Sequence, residues 1–345
     1  MKELVPRKVS LIAVFHNEEK SLSALFDSIL AQTRMPDEIV FVDDRSTDST
    51  LKVLHEFKDR SAVPVTVLVL DDKTSPGGNL ISRGRNLAIA RSQSELIVCT
   101  DGGCVLDKDW LTNIVARLEK DPSIGLVAGY YAPAPKSLFE EALAAATFKT
   151  QKELRAHKLP SRSIPSARSL ALCKTAWQTV GGFPEDLHFS EDSVFFYRLA
   201  MAGHRLAFAE DAVVYKRLSR SLSDLFWKYF RYGRGEGLAV QAVSAYLVRF
   251  AVYSAGATIA VASFAYPVGW VALAVAGAAY LAKPYRRIPA FVGSDQGLTR
   301  FLSAAVLIPL LLATCDSAKM IGFSLGLLER LIGHQLFGRL VRYGV

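Results

Sequence analysis

The sequence predicts an α/β protein with a mainly parallel sheet, followed by an apolar helical region. From residue 9 to residue 100, short β-rich runs alternate with stretches of helical periodicity. Carboxylates directly follow two of the predicted strands, at Asp43-Asp44 and at Asp101. The composition becomes much more apolar after about residue 220. An alternating βαβα order is typical of a doubly wound sheet, whose ligands bind at the carboxyl ends of the strands.

The predicted elements of the first part follow one another closely along the chain. Strands are predicted at 9–15, 38–43, 65–70 and 95–100, with helices at about 19–31, 48–58 and 80–92. They are followed by a helix from about 108, a strand at 124–128, a helix at about 137–157, a strand at about 168–173 and a helix opening near Ser190. We expect a globular domain over residues 1–220.

Charge and cysteine content narrow the class of partner. The four cysteines form neither a CxxC pair nor a zinc spacing, which favours free thiols. The formal net charge is +8, and many Lys and Arg residues lie next to apolar segments, as at Lys283, Arg286 and Arg287. This distribution favours an anionic membrane surface and argues against nucleic acid as the partner.

Residues 244–345 predict a membrane region. Phe250 to Ala282 carries no charged residue, and one helix of that length would be about 50 Å long, well beyond the roughly 30 Å core of a bilayer. We therefore expect a helical hairpin at about 246–283 that turns at Pro267-Val268-Gly269. A third hydrophobic segment covers about 301–328, where Asp316 and Lys319 are spaced to pair on one helix face. A basic tail follows.

The orientation of that region follows from its basic residues. Lys283, Arg286 and Arg287 after the second span, together with the arginines of the tail, are expected to stay in the cytoplasm. The sequence therefore predicts a multi-pass protein of the inner (cytoplasmic) membrane, with residues 1–220 on the cytoplasmic side.

Residues 221–243 precede the first span and predict an amphipathic helix. Leu222, Leu225, Phe226, Tyr229 and Phe230 recur at helical spacing, with basic residues among them. The pattern is typical of a helix lying in the membrane interface, and equally of a core-facing helix with a solvated basic side.

The stretch "FVDDRSTDST" (41–50) places two adjacent carboxylates at the end of a predicted strand. Asp43 and Asp44 would repel each other in a packed interior, so we expect them to face water, a cation or the hydrogen-bond donors of a ligand. The alternative is a purely local role, in which Asp44 begins an Asx-type turn and Thr47 caps the next helix. For Asp48, a local role of this kind is the better interpretation.

Two further segments carry charged groups at predicted helix starts. Gly77-Gly78 precedes Arg83 and Arg85, and guanidinium groups near a helix N-terminus neutralise pyrophosphate groups well. Solvated arginines on a surface helix are the alternative, mainly for Arg83. Ser190-Glu191-Asp192 has the pattern of a helix entry, with a cap and two acids near the positive dipole end.

Taken together and in order, "VFHNEE", "FVDDRSTDST", "GRNLAI", "CTDGGC", "DKDWL", "GGFPEDLHFSED" and "YFRYGRGEG" resemble the family 2 glycosyltransferases, the inverting enzymes of GT-A fold. The resemblance covers roughly residues 8–237. The apolar C-terminal helices are similar to those of membrane-attached members. The resemblance implies a GT-A fold and transfer of a sugar from a nucleotide-diphosphate donor, most commonly a UDP-sugar.

The resemblance also implies roles for particular residues. Asp43 and Asp44 hold the nucleoside, and the exit of the first strand, from Phe15 to Glu18, forms the other wall of that pocket. Arg85-Asn86 matches the Arg-Asn pair of the family at the diphosphate. A first-turn acid stabilised by the helix dipole is an equally good interpretation of Glu18.

The resemblance assigns the chemistry to two further carboxylates. Asp192 is the general base that takes the proton from the acceptor hydroxyl, and Glu191 orients the site or contacts the donor sugar. Gly181-Gly182-Phe183 is a flexible turn beneath that sugar. Family polymerases carry Q-x-x-R-W after the acidic pair, whereas Lys228 to Tyr232 lacks both Gln and Trp. Arg231 remains a candidate for the diphosphate or an anionic acceptor.

The expected cofactor is a divalent cation, Mg²⁺ or Mn²⁺. Family members bind it with a D-x-D pair, of which Asp101 is the first member and Gly103 replaces the second. Asp101 is therefore the expected protein ligand, and the phosphates of the donor would supply most of the remaining oxygens. Asp107 is expected to cap the helix that begins at Lys108.

Other functions fit these sequence features less well. Gly322 to Gly326 matches the G-x-S-x-G of hydrolases, but it lies in an apolar segment with only His334 after it. The exit of the first strand lacks the glycines of a dinucleotide-binding oxidoreductase. A catalytically degenerate sugar-nucleotide-binding or scaffolding protein stays open as the alternative, because Gly103 replaces the second aspartate. The function we expect is transfer of a sugar to a lipid-linked or cell-surface polysaccharide acceptor.

Overall fold

The structure is a computed structural model that describes residues 7–70, 80–155, 166–185, 191–292 and 297–333. The chain forms two compact units. The first unit contains Met1–Ala134 and Gln151–Arg217, and the second contains Pro135–Thr150 and Leu218–Val345. Residues 135–150 thus belong with the C-terminal helices, which the sequence pattern does not indicate.

The first unit is built on one eight-stranded sheet in the order β3-β2-β1-β4-β7-β6-β8-β5. The strands are β1 (Val9–Phe15), β2 (Glu38–Asp43), β3 (Val65–Val69), β4 (Leu96–Cys99), β5 (Cys104–Leu106), β6 (Ile124–Pro133), β7 (Leu170–Cys173) and β8 (Arg205–Lys216). Strands β1 to β4 are parallel, whereas β7 runs antiparallel to both of its neighbours. The predicted mainly parallel α/β sheet is confirmed.

Helices of the first unit cover this sheet. They are α1 (Leu22–Leu30), α2 (Thr50–Arg60), α3 (Leu80–Arg91), α4 (Trp110–Lys120), α6 (Gln151–Arg155), α7 (Lys174–Thr179) and α8 (Glu191–Met201). Every residue of β4 is buried, because strands inside a parallel sheet are covered on both faces. Phe15, Phe26, Phe41 and Phe57 pack together in the core, with the rings of Phe26 and Phe57 4.1 Å apart.

Several boundaries differ from the prediction. The helix expected at 137–157 is two helices, α5 (Leu138–Thr147) and α6, which lie in different units. Strand β8 was not predicted, because Glu210 and Asp211 interrupt its apolar residues where the pairing with β6 shifts register between Gly129 and Tyr130. The helix expected at Lys108 begins at Trp110, and Asp107 accepts a hydrogen bond from the backbone of Asp109 instead.

The cysteines are free thiols, as predicted, and all four are buried. Burial raises the pKa of Cys99 to about 12 and that of Cys104 to about 11. Both thiols are therefore protonated at neutral pH, and neither supplies a thiolate nucleophile.

The second unit consists of α5 with four longer helices, α9 (Leu222–Leu238), α10 (Val243–Ala262), α11 (Val268–Phe291) and α12 (Gly297–Ile332). The hairpin turn falls between Ala262 and Val268, near the predicted Pro267. Helices α10 and α12 are long and apolar enough to cross a membrane, by length and composition. Side chains that are more than 60% exposed include Val248, Val252, Val261, Phe264, Val268 and Val271.

Glycines bring α9 and α12 into close backbone contact. A Cβ atom on Gly233 or Gly237 would lie 2.3 Å from a carbonyl oxygen of α12. A Cβ atom on Gly322 would lie 2.2 Å from the carbonyl oxygen of Phe230, and one on Gly326 would lie 2.0 Å from that of Arg234. Small residues four apart on facing helices allow such an approach. The G-x-S-x-G sequence is therefore a helix-packing feature inside α12 and not a hydrolase turn.

Polar side chains join the apolar helices of this unit. The carboxylate of Asp316 contacts Arg249 at 2.9 Å and accepts hydrogen bonds from the hydroxyls of Tyr253 and Tyr280. Lys319 lies 3.8 Å from Glu236 on α9. The expected pairing of Asp316 with Lys319 is therefore wrong, because each finds an oppositely charged partner on another helix. Arg287, one of the basic residues expected to stay in the cytoplasm, is buried.

Replacing Gly326 with Ala should lower the stability of the helical unit. The added methyl would have to displace the backbone of α9, and overpacking of this kind costs about 1–3 kcal/mol. The matched control is Gly277→Ala on α11, where a Cβ atom meets nothing within 4 Å and helix propensity favours Ala by up to about 1 kcal/mol. Thermal unfolding in detergent should show opposite shifts, and equal shifts would contradict the close packing.

Candidate active site

The carboxyl ends of three parallel strands bring the predicted carboxylates to one edge of the sheet. Phe15 at the end of β1 is in register with Asp43 at the end of β2, and the backbone N–H of Asp44 donates to the carbonyl of Phe15 at 2.7 Å. Asp101 follows β4, which pairs with the other side of β1. Parallel strands end at a common edge, so the order of the sheet places these residues together.

Asp43 is 1% exposed, and its two carboxylate oxygens are in different situations. Oδ2 accepts a hydrogen bond from the backbone N–H of Ser46 at 3.0 Å, so Asp43, rather than the expected Asp44, makes the local Asx-type turn. Oδ1 is buried and has no partner among the described residues. A buried acceptor without a donor is costly, and this oxygen is suited to an N–H group of a ligand.

Asp44 is 7% exposed and lies 3.2 Å from the guanidinium of Arg45. Burial raises the pKa of its carboxyl group, and Arg45 opposes this shift.

Two residues at these strand exits, Asn17 (φ 54°) and Arg45 (φ 52°), adopt left-handed backbone conformations. Asn17 accepts hydrogen bonds from the N–H and hydroxyl of Thr47, which therefore does not cap α2. Strained backbone of this kind is frequent at functional sites.

Arg85 is the buried cation at the centre of the site. Its side chain is 6% exposed and donates at 3.0 Å to Asp101 Oδ1 and at 2.9 Å to Glu191 Oε1. The ring of Phe183 lies beneath the guanidinium, 5.6 Å from it. Arg85 comes from α3, Asp101 from the end of β4 and Glu191 from the start of α8, so one guanidinium joins three elements.

Asp101 has a second basic neighbour, Arg168, whose Nε lies 3.6 Å from Oδ2. Burial favours the neutral acid, but Arg85 and Arg168 outweigh it and lower the pKa of Asp101. The two guanidinium groups therefore keep Asp101 ionised. Arg168 was not predicted, because it lies in a segment without a recognisable motif.

Asp192 is the second residue of α8 and lies beside this network. Burial and the neighbouring charge of Glu191 raise its pKa, while Arg85 acts in the opposite direction. A carboxylate with a raised pKa is a stronger base than a solvated one. The predicted cap, Ser190, lies outside the described residues, as do Gly77 and Gly78.

Asn86 holds the turn that follows α7. Its amide oxygen accepts hydrogen bonds from the indole N–H of Trp177 and the backbone N–H of Phe183. Its amide nitrogen donates to the carbonyl of Phe183 and the carboxylate of Glu185. All of its hydrogen-bonding capacity is used inside the protein, so the expected contact of Asn86 with the donor is corrected to a positioning role.

Glu18 lies over the two glycines that follow Asp101. A Cβ atom on Gly102 would be 2.7 Å from the carboxyl carbon of Glu18, and one on Gly103 would have Glu18 Oε2 as its neighbour at 4.0 Å. Burial, together with the negative charge of Asp101, raises the pKa of Glu18, although a hydrogen bond from Ser21 opposes this. The carboxylate of Glu18 thus occupies space next to the position where family members carry their second aspartate.

Two expected site residues lie elsewhere. The side chain of Phe15 is 1% exposed and packs edge-on against Phe41, so it belongs to the core and only its carbonyl reaches the site. This corrects its expected place in the pocket wall. Arg231 lies on α9 in the second unit, and its contact with a diphosphate stays a prediction.

Comparison with known proteins identifies the family. Residues 10–167 match the family model described as glycosyl transferase family 2, and residues 96–314, more than half of the chain, match glycosyl transferase family group 2. The chain therefore belongs to the family 2 glycosyltransferases, and it is a glycosyltransferase.

Individual relatives agree with this assignment. The O-antigen chain rhamnosyltransferase RfbN of Salmonella typhimurium is 25% identical over 235 residues, which are 66% of this chain and 71% of RfbN. The poly(ribitol-phosphate) beta-N-acetylglucosaminyltransferase TarS of Staphylococcus aureus is 25% identical over 221 residues, which are 62% of this chain and 36% of TarS. This chain thus matches only about a third of the longer relative.

Among solved structures, the mannosyltransferase PcManGT from Pyrobaculum calidifontis, in complex with GDP-Man and Mn²⁺, has a similar fold. The TM-score is 0.60, with 22% identity over 88% of each chain. The predicted GT-A fold is confirmed by this likeness and by the sheet topology.

Replacing Arg85 with Gln should destabilise the first unit by about 3 kcal/mol, the lower end for breaking a buried ion pair, because the half-buried carboxylates of Asp101 and Glu191 would lose their cation. Arg91→Gln at the exposed end of α3 is the matched control and should change stability by no more than about 0.5 kcal/mol. Chemical denaturation at neutral pH measures both.

The difference between wild type and Arg85→Gln should narrow in acid. A lowered pKa in the folded protein means that Asp101 adds stability above its unfolded value, near 3.8, and that this contribution is lost as the pH falls through the folded pKa. A destabilisation independent of pH would show that Arg85 acts through packing alone.

Proposed function

We propose that the enzyme is an inverting glycosyltransferase that moves one sugar from a nucleotide-diphosphate sugar to a hydroxyl of a lipid-linked or cell-surface polysaccharide acceptor. The observation that carries this proposal is the placement of Asp192: this half-buried carboxylate lies in the first turn of α8, directly after the Glu191 that pairs with Arg85, and its pKa is raised. The names of RfbN and TarS, an O-antigen chain transferase and a poly(ribitol-phosphate) transferase, support an acceptor of this class.

The nucleoside would be held at the ends of β1 and β2. The unpartnered Oδ1 of Asp43 supplies an acceptor for an N–H of the base, and Asp44 supplies acceptors for ribose hydroxyls. We propose UDP as the carrier because it is the commonest one in this family.

Asp192 would act as the general base. Its carboxylate takes the proton of the acceptor hydroxyl while that oxygen forms a bond to the anomeric carbon. The bond from the anomeric carbon to the diphosphate oxygen breaks, and its electron pair leaves with the nucleoside diphosphate. One base on the face opposite the leaving group gives inversion. Proton removal and bond formation are concerted, since even a raised carboxyl pKa lies far below that of an alcohol.

Glu191 and Arg85 would set the position of that base. The ion pair between them, at 2.9 Å, anchors the first turn of α8, which also carries Asp192. Burial and the charge of Glu191 raise the pKa of Asp192, and Arg85 opposes that shift. Glu191 is thus a positioning residue in this proposal.

We propose that the site binds a divalent cation together with the phosphates of the donor, since the described residues contain no group of three or more His, Cys, Asp or Glu side chains that could hold a metal ion. Mg²⁺ and similar ions are often bound by one or two carboxylates together with substrate phosphates. Asp101 and Glu18 supply two carboxylates at one place, and the space over Gly102 and Gly103 is taken by Glu18. A cation held there would offset the charge of the leaving diphosphate. Glu18 would then replace the aspartate that Gly103 lacks, and Mn²⁺ in the complex of PcManGT supports an ion of this kind.

We propose that α10 and α12 attach the enzyme to the cytoplasmic membrane, with the first unit in the cytoplasm. The support is the apolar length of both helices and the exposed valines and phenylalanine on α10 and in the turn that follows it. Charged groups that meet within the helical unit, such as Asp316 and Arg249, fit this location because they are paired.

The replacement of Asp192 by Asn tests the proposed function. Turnover should fall by about 10²–10⁴-fold while binding of the donor nucleotide is retained, because the amide keeps the shape but accepts no proton. Folding stability at neutral pH should rise. A carboxyl group whose pKa is raised in the folded state opposes folding when it is ionised, and Asn removes that charge. The measurements are nucleotide release, calorimetry and thermal unfolding, with the exposed Asp59→Asn as control.

Two outcomes would contradict the proposal. Full turnover of Asp192→Asn, together with lowered stability, would make Asp192 a helix-entry residue only. Donor binding without any release of nucleoside diphosphate by the wild type, with or without EDTA, would instead favour the degenerate binding protein that Gly103 leaves open.

The replacement of Glu18 by Gln tests the cation site. Binding of Mn²⁺ to the UDP complex, measured by calorimetry, should weaken by about tenfold or more. The double variant Glu18→Gln with Gly103→Asp should recover part of the affinity, because Asp tolerates the positive φ of 69° at this position. The exposed Glu56→Gln serves as control. Unchanged Mn²⁺ affinity in Glu18→Gln would remove Glu18 from the site.

A further inference from the structure

A cavity of about 560 Å³ lies between α3 and α7, and its lining includes none of Arg85, Asp101 and Glu191. Arg83, Leu87 and Ala90 line one side of it at helical spacing, and Trp177 and Gln178 of α7 line the other. Arg85 is two residues from Arg83 and therefore points to the opposite, buried side of the helix. The volume is in the range of small-molecule sites, and neither the nucleoside ends of β1 and β2 nor Asp192 contribute to it.

The cavity combines a fixed aromatic ring with polar groups of both kinds. The indole N–H of Trp177 donates to Asn86 at 3.0 Å, which sets the orientation of the ring. Arg83 offers several donors, and Gln178 offers a donor and an acceptor. Glu185 offers a carboxylate, one oxygen of which accepts from Asn86.

This combination matches a neutral, hydroxyl-rich ligand. A phosphate or another anion would meet the carboxylate of Glu185 as well as Arg83, and a purely apolar ligand would leave the polar groups without partners. A pyranose has an apolar C–H face that packs against an indole ring, and hydroxyls that both donate and accept hydrogen bonds. The side chains of Arg83, Trp177, Gln178 and Glu185 thus all suit the same class of ligand, a neutral sugar.

The turn from Gly181 to Glu185 links this cavity to the active site. Gly182 and Glu185 line the cavity, whereas Phe183 of the same turn lies beneath Arg85. Asn86 binds the turn from below through three hydrogen bonds. A ligand in the cavity would therefore contact the segment that supports the catalytic centre.

We propose that this cavity is a subsite for a neutral pyranose residue of the acceptor glycan, separate from the donor site. The proposal rests on the proposed function, since it takes the acceptor to be a saccharide. The subsite would hold a sugar unit of the acceptor that is not the reacting one and would so raise the affinity for longer acceptors.

Calorimetry on the full chain in detergent tests the subsite, with chitotriose and maltotriose as neutral pyranose probes and UMP as the nucleotide probe. At least one trisaccharide should bind to the wild type below about 10 mM. Arg83→Ala and Gln178→Ala should each weaken that binding by about tenfold, the effect of losing one or two hydrogen bonds. Arg91→Ala removes the same charge from an exposed position on α3 and should bind like the wild type.

The outcomes separate the subsite from the proposed function. Equal trisaccharide affinity of Arg83→Ala and Arg91→Ala, or no binding of either trisaccharide to the wild type, would overturn the subsite. A parallel loss of UMP affinity in Arg83→Ala would overturn it as well, because Arg83 would then belong to the nucleotide site. Failure of the proposed function would appear elsewhere, as absent nucleotide release by the wild type.

Discussion

The site depends on one buried cation. Arg85 stands between Asp101, at the end of β4, and Glu191, at the start of α8. Taking these charges out of water costs several kcal/mol each, so each group requires the others in place. The three elements come from distant parts of the chain, and the guanidinium fixes their relative position more narrowly than apolar contacts do. Because Asp192 follows Glu191 directly, the position of the proposed base depends on the same ion pair.

The pKa values of the acidic groups at this edge are shifted in opposite directions. Two guanidinium groups lower the pKa of Asp101, whereas burial, and for Asp192 the charge of Glu191, raises the pKa of Asp192 and Glu18. In the mechanism we propose, Asp101 stays ionised next to the phosphates of the donor, and Asp192 accepts the proton of the acceptor hydroxyl. The arrangement costs stability, which is common where function requires a buried charge.

In the helical unit, charged groups are likewise paired with opposite charges, although most of the residues around them are apolar. Its charged groups meet across helices, as Arg234 does with Glu329 at 2.8 Å and Arg249 with Asp316 at 2.9 Å. The backbones of α9 and α12 meet at glycines, where side chains would separate them. A G-x-S-x-G sequence has thus a physical explanation without any chemistry of its serine. Sequence motifs of this length acquire a function only from the element on which they lie.

The sequence alone determined the positions of strands β1 to β4 along the chain, the placement of Asp43 and Asp101 at the carboxyl ends of strands, and the apolar helices, because these follow from local periodicity and from the geometry of parallel sheets. It also carried the family resemblance. Only the tertiary structure decided which charges pair: Arg85 turns inward to two carboxylates, and Arg168 joins them from an unremarkable segment. The tertiary structure likewise shows that groups of the protein use the hydrogen-bonding capacity of the Asn86 amide. Side-chain partners depend on contacts between residues far apart in the chain, which no local pattern contains.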